Sequence, residues 1–399
     1  MDEKGDVTNL LKAIDRALPS ATALRHSIHR EPQLSGEEWP TAEAVLAALG
    51  NVDYEIVAGT GLIVRIGPES GPAVGIRAEL DALPMIEQTR ASFASQNGAM
   101  HACGHDVHVA GAVALAKAAM TTSIPVALVF IFQPREESYP SGARDIVMDG
   151  VLERHGVRSV IGAHVHPGIP VGSITTGSGV VNAAADEFAI VIEGLGGHAA
   201  YPHLTTDTIV AMAQVILSAQ TIVSRRVDPM HPTVLTFGVL GSGTAANVIP
   251  ARTTAAGSIR SSAATDRELI AHHLEAIVRN IAEANGCSGR LEMTRGEPIL
   301  TNDSRLVERA DPILTANGFD VQQPMRSCGS DDFSFYSEIY PSLMMFVGTG
   351  ASRDGLSLHS PDFCPGDDSI ALVARAFASG YLAAVNLIAA ADAPLTVPN

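Results

Sequence analysis

Cys103, His105, Glu136, Glu137 and His164 are the residues of this chain whose types and spacing could do chemistry. The first four fall in two compact motifs, His101-Ala-Cys-Gly-His-Asp-Val-His108 and Phe132-Gln-Pro-Arg-Glu-Glu137. A thiolate, two imidazoles and adjacent carboxylates suit a borderline-soft divalent metal ion, and one carboxylate is left over to act as a base. That surplus acid distinguishes a catalytic metal site from a structural one. Taken singly, each residue has a plainer explanation. An isolated histidine such as His164 is more often a satisfied core residue, Cys103 alone would be packing, and Glu136-Glu137 alone would be a solvated loop pair. His101, His108, His166 and His203 are read as structural or as supporting groups.

These side chains need elements to position them. Leu10, Leu11, Ile14 and Leu18 recur at helical spacing, and a second helix is expected from Glu38 through Leu49. The runs Gly61–Ile66, Ala73–Leu80, Val126–Phe132 and Ser159–Ala163 read as strands, with helices over Asp106–Met120 and Gly142–Arg154 between them. Such alternation predicts an α/β fold, a mixed or parallel sheet with helices on both faces. On this map Asp81, Glu136 with Glu137, and His164 each follow a strand, beyond the carboxyl ends where open α/β sheets hold their sites.

Farther along, the order changes to strand Glu187–Glu193, helix Thr206–Ser224, strands Thr233–Leu240 and Thr253–Ile259, helix Asp266–Ala284 and strand Arg290–Thr294. That is β-α-β-β-α-β, a ferredoxin-like α+β unit. The chain therefore reads as a discontinuous larger domain, residues 1–181 and 295–399, with a smaller domain, 182–294, inserted through hinges near 180 and 295.

At 399 residues and 46% hydrophobic side chains the sequence can bury more than one core. The excess of 43 acidic over 26 basic residues, a formal charge of −17, repels nucleic acid and anionic membrane, so neither is expected as a partner. The start, Met1-Asp-Glu-Lys-Gly-Asp6, does not read as a secretory signal, and the apolar tract Ile370–Ala391, interrupted by Arg375, reads as a packed helix. A cytoplasmic location is expected. The 4 cysteines are widely spaced and do not suggest a disulfide framework; Cys287, Cys328 and Cys364 are expected to be buried thiols. There is no Gly-x-Ser-x-Gly elbow, Gly-Lys phosphate loop, His-Glu-x-x-His helix or Gly-x-Gly-x-x-Gly fingerprint.

Nearly the whole length resembles the M20 metallopeptidase family, and within it the amidohydrolase branch of aminoacylases, hippurate hydrolases and auxin-conjugate hydrolases. The segments that carry the resemblance begin with His29-Arg-Glu-Pro32, Arg77-Ala-Glu-Leu-Asp-Ala-Leu-Pro84, the two motifs above and Gly162-Ala-His-Val165. They continue with Gly196-Gly-His-Ala-Ala-Tyr-Pro-His203, Gly243-Thr-Ala-Ala-Asn-Val-Ile-Pro250, Ser258-Ile-Arg260, Ser330-Asp-Asp-Phe333 and Leu358-His-Ser-Pro361. The resemblance implies that Cys103, His105, Glu137, His164 and His359 hold two divalent metal ions (Mn²⁺, Zn²⁺, Co²⁺ or Ni²⁺), with Glu136 as general base. Asp81 matches the acid that supports the metals from behind, while Glu79 stands where other members carry a ligand histidine. His198, Asn247 and Arg260 match positions that contact substrate, His198 reaching into a neighbouring subunit's site. A homodimer or tetramer joined through the inserted lid domain is therefore expected.

The implied reaction is hydrolysis of an N-acyl amino acid or related small amide. Glu136 would take a proton from the attacking water and return it to the departing nitrogen, with His198 steadying the carbonyl oxygen. Arg260 offers a planar fork for a substrate carboxylate, and Asn247 both a donor and an acceptor. Alternatives are a dipeptidase or carboxypeptidase of the same family, a non-catalytic metal-dependent binding protein, and a cysteine hydrolase built on Cys103 with His105. Loss of activity with chelator and its recovery with metal separate the metal hydrolase from the last two.

Overall fold

The change of apolar period along the chain corresponds to two compact units in a computed structural model that describes residues 3–350 and 357–392. The larger unit takes Met1–Gly179, Thr301–Met325 and Asp332–Asn399; the smaller takes Val180–Leu300 and Arg326–Asp331. The chain begins with helices α1 (Glu3–Arg30) and α2 (Trp39–Leu49) and strands β1 (Tyr54–Val57), β2 (Gly61–Ile66) and β3 (Ala73–Glu79). Then come α3 (His105–Met120), β4 (Ala127–Gln133), α4 (Gly142–Asp149), α5 (Val151–Arg154), β5 (Val157–His166), β6 (Ser173–Thr175) and β7 (Gly179–Asn182). The smaller unit holds β8 (Ala184–Glu193), β9 (Gly197–His198), α6 (Thr208–Arg225), β10 (Thr233–Ser242), β11 (Val248–Ile249), β12 (Arg252–Ser261), α7 (Ala264–Ala284) and β13 (Ser288–Arg295). From β14 (Leu300–Asn302) the chain returns with α8 (Ser304–Ala316), β15 (Asp320–Val321), α9 (Ser334–Ile339), β16 (Ser342–Gly348) and α10 (Asp368–Asp392).

The larger unit is built on an 8-stranded sheet in the order β1-β2-β4-β3-β5-β16-β6-β15. Its centre, β4-β3-β5-β16, is parallel, and β2 and β6 flank it antiparallel, so the sheet is mixed. Every residue of β4 is buried. Leu128, Phe130 and Phe132 join a cluster with α1, α3, α8 and α10, while Val129 and Ile131, turned to the opposite face by strand alternation, are equally buried. Covered on both faces, the strand needs a continuous apolar run rather than an alternating one. Behind it, α3 is sunk among α1 and α10 by small side chains. A Cβ on Gly111 would come within 2.6 Å of Val373 Cγ1, so glycine is what lets α10 lie this close. The stretch Asp368–Ala391 is long and apolar enough to cross a membrane by composition, but 61% of an apolar 18-residue segment within it is buried in this core, which accounts for its apolarity.

Several boundaries differ from the sequence reading. The helix expected over Gly142–Arg154 is two, because Gly150 at φ 74° turns the chain between α4 and α5. Strand β5 runs on to His166, since β16 pairs with it through Phe346↔His164 and Gly348↔His166, so His164 lies inside the strand near its end rather than beyond it. Cys328 is exposed, and Cys287 and Cys364 are only half-buried, so these three are not the buried thiols expected.

In the smaller unit the 4-stranded sheet has the order β10-β12-β8-β13 and is antiparallel throughout, the ferredoxin-like arrangement. Ala211, Met212, Val215, Ala219 and Ile222 of α6 and Ile270, Leu274, Val278 and Ala282 of α7 form apolar stripes at helical spacing that pack with Phe188, Ile190 and Ile192 of β8. Asp207 caps α6 by accepting from the N–H groups of Ile209 and Val210, worth ~1 kcal/mol. The second crossing falls at residue 300 rather than 295, because the Glu297 carbonyl accepts from Ala185 N–H at 3.0 Å. Residues 326–331 also belong here, through the Ser327 and Gly329 carbonyls that accept from Ala183 N–H.

Candidate metal centre

Gly104 brings Cys103 and His105 to the same place. It sits at φ 85°, and a Cβ there would come 2.4 Å from Val165 Cγ2, so only glycine can make this entry into α3. His105, the first residue of α3, donates Nδ1–H to the Asp81 carbonyl at 2.9 Å, which leaves its Nε2 lone pair free. Asp81 Oδ2 accepts from Glu137 N–H at 2.9 Å and from Ser35 Oγ at 2.7 Å. One aspartate just beyond β3 thus fixes both a histidine and the backbone of a glutamate.

The turn bearing the glutamates is held from its other side. Arg135 adopts φ 52°, an uncommon conformation for a side-chain-bearing residue. Buried Glu38 accepts from its N–H at 2.9 Å, and from Gly36 N–H at 2.8 Å and Thr60 Oγ1 at 2.6 Å. The Arg135 guanidinium bonds Asp145 and the carbonyls of Ala58 and Pro140.

Ligand atoms of Cys103, His105 and Glu137 lie within 4.8 Å of one another. His164 Nε2 is 3.3 Å from Cys103 Sγ, and His359 Nε2 is 3.3 Å from Glu137 Oε1. All five residues expected from the sequence as ligands are therefore neighbours in the larger unit. His359 is the open side of the group, its side chain 49% exposed, on a left-handed backbone (φ 61°) tied by its N–H to the Ala102 carbonyl. Glu136 stands beside them, its Oε2 3.8 Å from His105 Nε2.

The electrostatics fit a cation. Burial pushes the Cys103 thiol up, against the pull of His105 and His359. Burial holds His164 well below the usual imidazole range. Burial would depress His105 too, yet Glu79, Asp81 and Cys103 raise it well above that range, and contacts with Cys103 and Glu137 push His359 up to about 10. Both raised histidines report a surplus of negative charge. His105 Nε2 and Asp81 Oδ1 are buried without a hydrogen-bond partner, and Glu137 Oε1 has only its 3.3 Å contact with His359 Nε2. Converging buried lone pairs of this kind are costly unless a cation satisfies them, and a divalent ion also ionises a thiol that burial would keep protonated. The sulfur, nitrogen and oxygen donors suit zinc, manganese, cobalt or nickel.

Glu79, His105, His108 and His164 form a second cluster of the right size. His108 cannot ligate there, since its Nδ1 bonds Glu79 at 3.0 Å and its Nε2 accepts from Val165 N–H at 2.9 Å. Glu79 also pairs with buried Arg77, which bonds Gln133 and Asp332. The sequence reading passed over Glu38, Arg77 and this role of His108, although two charged residues in an otherwise apolar strand were a signal.

In the smaller unit, His198 and Asn247 are brought together: β9 pairs with β11 through His198↔Val248, and Ala199 N–H donates to the Asn247 carbonyl at 3.0 Å. His198 Nδ1 accepts from Ala200 N–H at 3.1 Å, so the neutral ring carries its proton on exposed Nε2. Arg260, on β12, donates to Ser330 Oγ at 2.6 Å.

The sequence pattern of peptidase family M20/M25/M40 matches residues 75–381. The chain belongs to this family. Relatives within the M20 family include an N-acetyldiaminopimelate deacetylase of Exiguobacterium sibiricum, 34% identical over 88% of this chain and 96% of that one. An N-acetylcysteine deacetylase of Bacillus subtilis is 33% identical over 89% and 94%. The crystal structure of the Bacillus subtilis YXEP protein, described as a dinuclear metal binding peptidase from the M20 family, superposes with a TM-score of 0.81 at 29% identity, covering 93% of this chain and 99% of that one.

Proposed function

We propose that this M20-family enzyme is a metal-dependent amidohydrolase that cleaves N-acyl amino acids or related small conjugates. In this reading two divalent ions are held by Cys103, His105, Glu137, His164 and His359, and Glu136 is the general base. The observation that carries it is the convergence of these five donors, with the lone pair of His105 Nε2 buried and unsatisfied among them, beside a carboxylate the ligand set does not need. Relatives named for removing acetyl groups from diaminopimelate and cysteine support the substrate class.

When bound, such ions lower the pKa of water and polarise a carbonyl. Glu136 takes the proton of the attacking water and passes it to the departing nitrogen, the two duties of one acid–base group. Asp81 keeps the His105 lone pair and the Glu137 backbone aimed at the site. His198 presents Nε2–H to the carbonyl oxygen as charge grows there, Arg260 clamps the substrate carboxylate, and Asn247 orients the amide. His198 acts across a homodimer, or a tetramer of such dimers, joined through the smaller unit. In support, β10 is an edge strand with Val239 and Leu240 exposed, and α6 leaves Ile209, Val210 and Leu217 exposed. The enzyme works in the cytoplasm without nucleic acid or membrane partners.

The test is a panel of acetyl, benzoyl and long-chain acyl amino acids offered to the manganese- or zinc-loaded enzyme. Release of free amino acid from at least one series is expected; inertness toward all of them would end the proposal.

A further inference from the structure

We infer that Glu79 and His108 are positioning residues that set the tautomer and aim of the ligand His164, through the backbone N–H and carbonyl of Val165. The inference rests on the metal-ligand reading of His164 given above. Each link has a direction dictated by its chemistry. A backbone N–H can only donate, so His108 Nε2, 2.9 Å from Val165 N, must be an acceptor and the ring proton must sit on Nδ1. That proton faces Glu79 Oε2 at 3.0 Å. A backbone carbonyl can only accept, so His164 Nδ1, 2.7 Å from Val165 O, must carry its own proton. The remaining His164 lone pair, on Nε2, is then the one aimed at Cys103 Sγ, 3.3 Å away. The Val165 backbone is thus gripped on both sides, by His108 at its N–H and by His164 at its carbonyl, which belong to successive peptide groups. Glu79, Cys103, His108, His164 and Val165 are all buried, so water does not readily substitute for a missing partner.

Glu79 is suited to start this chain because two neighbours ask it to accept. The Arg77 guanidinium takes Oε1 and His108 Nδ1–H takes Oε2. Only a carboxylate offers two acceptors. In Glu79→Gln the amide oxygen goes to the permanently charged Arg77, which leaves the NH₂ group facing His108 Nδ1. His108 must then move its proton to Nε2, where it opposes Val165 N–H, and the Val165 backbone that orients His164 loses its hold. Outer partners of metal-bound histidines act in this way on ligand orientation and basicity, and their loss costs roughly 10–100-fold in metal affinity.

The experiment has two arms. In the first, the full chain labelled with ¹⁵N-histidine and freed of metal is examined by long-range ¹H–¹⁵N correlation, with His108→Gln and His164→Gln variants assigning the rings. Both rings are expected as Nδ1–H tautomers, and an Nε2–H tautomer at His108 would overturn the inference. In the second, Zn²⁺ affinity is measured by competition with a chromophoric chelator, and the visible spectrum of the Co²⁺ form is recorded. Glu79→Gln is expected to bind Zn²⁺ about 10–100-fold more weakly, with an altered Co²⁺ spectrum. Parental affinity together with a parental spectrum would overturn the inference. If Glu79→Gln does not fold, the tautomers of the unsubstituted chain decide alone. Should that chain bind no metal at all, the proposed function fails, and the tautomer arm still reports separately on the Glu79–His108–Val165 link.

Discussion

Glu136 and Glu137 are chemically identical neighbours, and only their surroundings tell them apart. Glu137 has its backbone fixed by Asp81 and its Oε1 near His359, whereas Glu136 lies beside His105 at a longer distance. Glu136→Gln should therefore leave metal content unchanged and lower kcat by about 10²–10⁴-fold, measured by metal analysis and steady-state kinetics on the same preparation. Cys103→Ala should instead lose metal, since it removes the only soft donor of the group. That Cys103, His105 and the paired glutamates come together was legible from residue type, because few other roles need a thiol, imidazoles and carboxylates within such short motifs. The difference between His108 and His164 was not legible. It depends on which ring nitrogens are already engaged, by Glu79 and Val165 N–H in one case and by the Val165 carbonyl in the other.

At the scale of elements, the site is only as rigid as the start of α3. Asp106, one residue after the ligand His105, bonds Arg25 at 2.8 Å and His29 at 2.9 Å and so ties α3 to α1. Burial alone would raise its pKa, but Arg25 and His29 hold it well below the usual carboxylate range. A folded-state pKa below the unfolded value, ~3.9, means that Asp106 adds stability that is fully present above that value and is lost as pH falls through the folded pKa. Asp106→Asn should cost about 3 kcal/mol at pH 7 by leaving buried Arg25 short of its partner, and the deficit should shrink toward pH 3; urea unfolding at both pH values checks this. His101 reinforces the acid sensitivity. Buried and pushed down to about 3, it stays neutral while folded, so unfolding takes up a proton below pH ~6.5 and stability declines from there as the medium acidifies. The helices and central strands were legible because their apolar periods are clean. The ends of β5 and the α4–α5 break were not, since one depends on a partner strand far along the chain and the other on the left-handed turn at Gly150.

For the whole molecule, the strand and helix order of the smaller unit was legible, yet residues 326–331 were not assignable to it from sequence. They join through backbone hydrogen bonds to Ala183, which carry no side-chain signature. If subunits pair through this unit, Leu240→Glu combined with Leu217→Glu should turn a dimer into a monomer in sedimentation equilibrium, with metal content intact and kcat reduced. A fully active monomer would refute the proposed action of His198 across subunits. The central claim, that the Cys103–His105–Glu137–His164–His359 group holds the ions required for amide hydrolysis, is tested most directly by one titration. Enzyme stripped by a chelator is supplied with increasing equivalents of Mn²⁺ or Zn²⁺ while its rate on an N-acyl amino acid is followed. The expected curve starts at no detectable turnover and rises to a plateau at two equivalents per chain. Full turnover by the stripped enzyme, or none at any metal loading, would contradict the claim.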